Sequence, residues 1–175
     1  MAVVKANYIT KGQTERARAK ATIRYIEHRP GKDHEKKSRN LFGIDGCMGR
    51  WQAYRMVDEA EKGRYFYRFV VSPDPVNEDA ERDLPLREII AYTMQSLEER
   101  IHKSVQWVAA VHDDHTDKRH IHALAVVKGR LKKDDLQALI QAATEEAQLQ
   151  RHGRDLMREV AQMQREREEA QWGIY

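Results

Sequence analysis

The sequence predicts an α+β fold, a central antiparallel β-sheet flanked by helices, with a C-terminal helical extension. Two observations lead there. Runs rich in β-branched and aromatic residues alternate along the chain with stretches of helical periodicity. The last two such runs are separated only by a short polar segment, so they must pair as an antiparallel hairpin rather than through a crossover. A core is expected over residues 1–131, with residues 132–175 forming a helical segment that packs on it or extends from it.

The first strand is expected over residues 3–9, where Val3, Val4, Tyr8 and Ile9 favour extended backbone and Lys11-Gly12 marks the exit. Tyr8 is expected to pack into the core. Thr14 is placed to cap a helix that runs to about His28, where Pro30-Gly31 stops it. Residues 32–49 are dense in Lys, Arg, Asp and Gly and read as a mobile loop or a hairpin, the kind of segment that contacts a partner. A short helix is expected from about Gln52 to Lys62. Tyr65 to Val71 forms a strong strand, ended by Ser72-Pro73-Asp74-Pro75. An acidic linker leads to a helix from about Leu86 to His102, with Ile89, Ile90, Met94, Leu97 and Ile101 as its apolar stripe. Val105 to Val111 and His120 to Val127 form the hairpin. From Asp134 to about Gln171 the pattern is helical and increasingly charged, and His152-Gly153 is a candidate break within it.

With 175 residues, 41% hydrophobic and 34% charged, the chain is long enough for one domain with a sizeable core and too apolar for disorder. No apolar run reaches the ~18 residues of a membrane span, and the N-terminus lacks a signal-peptide core, so a cytoplasmic protein is expected. Cys47 is the only cysteine, which excludes an internal disulfide and a multi-cysteine zinc site. The net charge of +3 is unevenly placed: residues 1–71 hold 16 Lys/Arg against 8 Asp/Glu. A basic first third suits a polyanion such as nucleic acid, and equally describes a solvated lysine-rich surface.

The most specific feature is the run from His112 to His122, which holds four of the eight histidines within eleven residues. His120 and His122 lie two apart on a strand, so their side chains share a face, while Ile121 points to the core. His112 closes the facing strand, and a hairpin brings it beside the pair. Neutral imidazole is the commonest transition-metal ligand, and three leave coordination positions open for water or a phosphate oxygen. Asp114 is a candidate partner to fix a ligand's tautomer; His115 reads as a bystander or a substrate contact. A zinc hydrolase is compatible with the three histidines alone.

His112…His120-Ile121-His122, with Asp114 between them, resembles the third motif of the relaxases, a branch of the His-hydrophobic-His (HUH) endonucleases. The flanking Trp107–Val111 and Ala123–Val127 resemble the paired strands that carry it. Ala17 to Ile26 resembles the first motif of the MobA-like relaxases, whose nucleophilic tyrosine falls at Tyr25. Tyr67 to Pro73 resembles the second, in which a serine, here Ser72, touches the DNA backbone. Standing alone, Tyr25 reads as a half-buried helix aromatic and Ser72 as a turn former. The sequence departs from the pattern in the long, charged loop between His112 and His120.

The resemblance implies an HUH relaxase-like sandwich that nicks and rejoins single-stranded DNA at a transfer origin of a plasmid or integrative element. Tyr25 would be the nucleophile and form a 5′-phosphotyrosyl intermediate, with Asp114 assisting and Mn²⁺ or Mg²⁺ held by His112, His120 and His122. A phenol suits reversible transesterification, because its oxygen both attacks phosphorus and later leaves as an aryl oxide, provided it is activated. DNA contacts are expected from Arg16, Arg18, Lys20 and Arg24 on the first helix, from Lys36, Lys37, Arg39 and Arg50 in the basic segment, and from Ser72. Expected partners are accessory relaxosome proteins and a type IV secretion coupling protein. The alternatives are an HUH replication initiator, which usually carries its tyrosine after the histidine motif, and a non-catalytic DNA-binding module with structural histidines.

Overall fold

In the computed structural model the described residues are 1–29, 38–113 and 118–172. Ten elements follow in chain order: β1 (Val3–Tyr8), α1 (Glu15–His28), β2 (Phe42–Gly43), β3 (Gly46–Cys47), α2 (Arg50–Asp58), β4 (Arg64–Ser72), α3 (Leu86–Ile101), β5 (Gln106–His112), β6 (His120–Lys128) and α4 (Lys133–Trp172). The strands form one six-stranded sheet in the order β1-β4-β6-β5-β2-β3, with every pairing antiparallel. The expected α+β class is the observed one.

The sheet separates two apolar layers. On one face Tyr67, Phe69, Val71, Trp107, Ala109, Ile121 and Ala123 meet α3 and the first half of α4. On the other, Phe66, Val108, Ala110, Leu124 and Val126 meet Ala19, Ile23 and Ile26 of α1 and Ala53, Met56 and Val57 of α2. Strands β5 and β6 are covered on both sides, which is why they read as near-continuous apolar runs rather than as an alternation. The β1 edge is different. Lys5 and Asn7 on its α1-side face stay exposed, and charge on an edge strand discourages pairing with another chain.

Several boundaries differ from expectation, each for a local reason. The basic segment does contain a hairpin, the two-residue strands β2 and β3, joined through Gly46 at φ 101. Thr14 precedes α1 but makes no side-chain cap. The second helix starts at Arg50 and ends at Asp58, where Arg16 binds the carbonyls of Val57, Asp58 and Ala60. Tyr8 is not a core residue: it is 40% exposed, edge-on to Tyr65 at 6.0 Å, with the Arg130 guanidinium over its ring. Gly153 does not divide the last helix, because one glycine costs only ~1 kcal/mol among strong helix formers.

The resulting α4 belongs to the core in part. Leu139, Ala143 and Ala147 are buried, and the Thr144 hydroxyl accepts the Ala2 backbone N–H at 3.1 Å. Arg151 and Arg158 pair with Asp83 in the α3 approach. Around and beyond Arg158, Leu156, Met157, Val160 and Met163 are exposed. Among the described residues, no helix is long and apolar enough to cross a membrane.

Candidate metal centre and adjoining cleft

The β5–β6 register sets His112 opposite His120 and Ala110 opposite His122, so all three imidazoles project on the α1 side of the sheet. The ring centroids are 4.6 Å apart for His112–His122, 5.0 Å for His120–His122 and 5.4 Å for His112–His120. One nitrogen from each ring lies within 4.8 Å of the others. His112 is fully buried, His120 nearly so and His122 partly. The three form a group that can hold a metal ion.

Backbone carbonyls assign the tautomers. His112 Nε2 lies 2.9 Å from the carbonyl of Ile26, which can only accept, so that nitrogen carries the proton and Nδ1 the lone pair. His120 Nδ1 donates in the same way to the Lys118 carbonyl at 3.0 Å, leaving the lone pair on Nε2. Such hydrogen bonds behind a ligand orient the ring and raise its basicity towards a cation. His112 Nδ1 is buried and has no hydrogen-bond partner among the described residues. A buried lone pair without a donor is costly, and a cation bound there would satisfy it. The donor set therefore fits a divalent metal ion.

The electrostatics agree. Burial, reinforced by the neighbouring His122 and Arg39, lowers the His112 pKa to about 3. Burial first, then His120, Arg29 and Arg39, lowers that of His122 to about 4. Both rings are neutral at physiological pH, the form that binds metals. Ile26 and Glu27 lie in the last turn of α1, whose carbonyls lack intrahelical partners; His112 takes the first and the Arg39 backbone N–H the second. The negative end of the helix dipole thus faces the cluster and favours a cation.

The phasing of α1 sets Tyr25 beside this centre. Ala19, Ile23 and Ile26 face the sheet, which rotates Arg18, Ala21, Thr22 and Tyr25 onto the adjoining face, along a cleft of about 620 Å³. Tyr25 is 48% exposed, and its ring stands edge-on to His122 at 5.8 Å and 88°. Asn7, Arg68 and Val70 form the cleft floor, on the stretch of sheet that α1 and α2 leave uncovered. Val70 pairs with His122, so this floor runs directly into the histidine group.

The remaining expected contacts divide. Arg18 lies on the cleft wall, its guanidinium donating to the Thr10 carbonyl at 2.7 Å. Arg24 is exposed. Arg16 is engaged with α2 as described, and Lys20 pairs with Asp58 at 2.7 Å. Arg50 binds Glu27 at 2.5 Å and also contacts His28, and Arg39 donates to the Arg29 carbonyl at 2.7 Å. The Ser72 hydroxyl donates to the Arg119 carbonyl at 2.8 Å, bracing the residue before His120. Arg119 is itself tied to the buried Asp79 at 3.0 Å. Lys36, Lys37, Asp114 and His115 lie outside the described residues.

Sequence reasoning missed Arg29, Asn7 and Arg68. Arg68 was within reach, since strict alternation with the apolar Tyr67 and Phe69 turns it to the opposite face. Comparison with protein-family models, with curated proteins and with solved structures finds no significant match to this chain.

Proposed function

We propose that this protein is a relaxase-type strand transferase that uses Tyr25 to cleave and rejoin single-stranded DNA. One observation carries the reading: an exposed phenol standing edge-on, at 5.8 Å, to a member of a converging three-histidine group. Buried neutral histidines suit a metal, and a half-exposed tyrosine at the mouth of a cleft suits an extended substrate. A core aromatic would not stand 48% open beside them.

His112, through Nδ1, and His120 and His122, through Nε2, would hold Mn²⁺ or Mg²⁺. When bound, the metal withdraws electron density from the scissile phosphate and stabilises the extra charge of the transition state. Tyr25 Oη attacks phosphorus and loses its proton to solvent in the open cleft. The bond between phosphorus and the 3′ oxygen breaks, and that oxygen takes a proton from solvent and leaves as a hydroxyl. The products are a 5′-phosphotyrosyl end and a free 3′-hydroxyl, whose return attack rejoins the strand. Arg18 and Arg68 offer phosphate contacts along the cleft, and the sheet floor offers a surface for unpaired bases. Transfer-origin DNA, relaxosome proteins and a secretion coupling protein would be the partners of such an enzyme.

The test is a mass measurement of tryptic peptides after incubation with Mn²⁺ and single-stranded transfer-origin DNA. The expected adduct maps to the peptide bearing Tyr25 and is absent from Tyr25→Phe. An adduct that persists in that variant rejects the assignment.

A further inference from the structure

Among the described residues, the Arg29 side chain reaches two of the histidine nitrogens. Arg29 Nη1 lies 3.2 Å from His122 Nε2 and 3.4 Å from His120 Nε2. A guanidinium has donors and no acceptor, and it stays charged at any working pH, so it donates to both nitrogens. Those are two of the three lone pairs that a metal requires. One lone pair cannot serve a guanidinium and a metal ion at once, and two cations repel each other in so confined a space.

We propose that Arg29 is an internal competitor for the metal and, once displaced, the residue that holds the substrate phosphate beside Tyr25. The competition follows from the histidine geometry alone; the phosphate role rests on the strand-transfer reading above. Arg29 directly follows α1, with extended backbone at φ −53 and ψ 127, and its carbonyl is fixed by the Arg39 guanidinium. The backbone is therefore anchored while the long side chain turns about its own torsions. Its guanidinium carbon already lies 5.7 Å from the centre of the Tyr25 ring, which opens onto the cleft.

A phosphodiester in that cleft offers two charged oxygens to a planar fork of donors, a better match than two neutral imidazoles. Substrate and metal are then linked. DNA draws the guanidinium off the histidines and so tightens metal binding, and by reciprocity the metal tightens DNA binding by the same factor. Without a strand the guanidinium weakens metal binding without preventing it.

Calorimetric titration of Mn²⁺ into the wild type, Arg29→Ala and Arg29→Gln, with and without a mixed-sequence single-stranded oligonucleotide, tests this. Without DNA, Arg29→Ala is expected to bind Mn²⁺ at least about tenfold more tightly, the equivalent of losing two competing hydrogen bonds. Arg29→Gln, which keeps donors but no charge, is expected to gain less and guards against misfolding of the alanine variant. The oligonucleotide is expected to tighten Mn²⁺ binding several-fold in the wild type and little in Arg29→Ala. Equal or weaker Mn²⁺ affinity in both variants overturns the competition. An equal effect of DNA on wild type and Arg29→Ala overturns the phosphate role. If none of the proteins binds the oligonucleotide, the strand-transfer reading fails, while the DNA-free titrations still decide the competition.

Discussion

Acid should destabilise the metal-free protein through two particular histidines. In the folded chain His112 and His122 resist protonation down to about 3 and about 4 respectively. In the unfolded chain both take up protons near ~6.5. Below that pH the unfolded state therefore binds more protons than the folded state, and stability falls as pH falls, until the folded pKa values are reached. Between pH 7.5 and pH 5 the loss from the fully buried His112 is about 2 kcal/mol, at ~1.4 kcal/mol per unit below 6.5. His122 keeps some contact with solvent and adds somewhat less. Together they amount to roughly 3–4 kcal/mol, a Tm drop of roughly 10 °C for a domain of this size. The assay is thermal denaturation of chelator-treated protein at the two pH values, beside His112→Gln/His122→Gln, which removes both groups. A Tm drop as large in the double variant as in the wild type would refute the reasoning, because the proton linkage would then lie elsewhere.

Other outcomes follow from the same geometry. Mn²⁺ at ~100 times its Kd should stabilise the wild type by about 2.7 kcal/mol, raising Tm by roughly 5–11 °C, and His122→Ala should lose that shift; both are read by melting curves with chelator as control. Tyr25→Phe should abolish the covalent adduct yet alter stability by less than ~0.5 kcal/mol, since the ring keeps its packing and only an exposed hydroxyl is lost. Arg16→Ala should cost about 2 kcal/mol in urea denaturation, because Arg16 caps the carbonyls at the end of α2, and should leave oligonucleotide affinity unchanged. Arg68→Glu should do the reverse, weakening single-strand binding and flattening its salt dependence in fluorescence anisotropy while stability stays within ~0.5 kcal/mol.

The histidine group was legible because its geometry is local. Two residues on one strand and one at the end of its hairpin partner need only the period of a strand and the register of a turn. Tyr25 stood out only through the resemblance of Ala17 to Ile26 to a known motif; the helix phase that turns it to the cleft, with Ile23 and Ile26 buried, comes from the fold. Arg29 was not, because nothing in its neighbourhood says that the end of the first helix lies over strands some ninety residues later. The same blindness affected Arg16 and Lys20. Both looked like free cations on a helix, and both meet groups on α2 that no spacing rule connects to them. The strands β2 and β3 were too short for any periodicity to register, so the segment read only as a loop or hairpin.

The carbonyl that locks the His112 tautomer belongs to Ile26, and the next residue before it is Tyr25. Unwinding the last turn of α1 would therefore free the imidazole and misplace the phenol in one event. Tyr25 and His112 form a single switchable unit, and the opening free energy of that turn sets how often the unit is broken. Amide hydrogen exchange along residues 22–28 reads that free energy directly, and metal should slow it more than it slows exchange in α3, on the far side of the sheet.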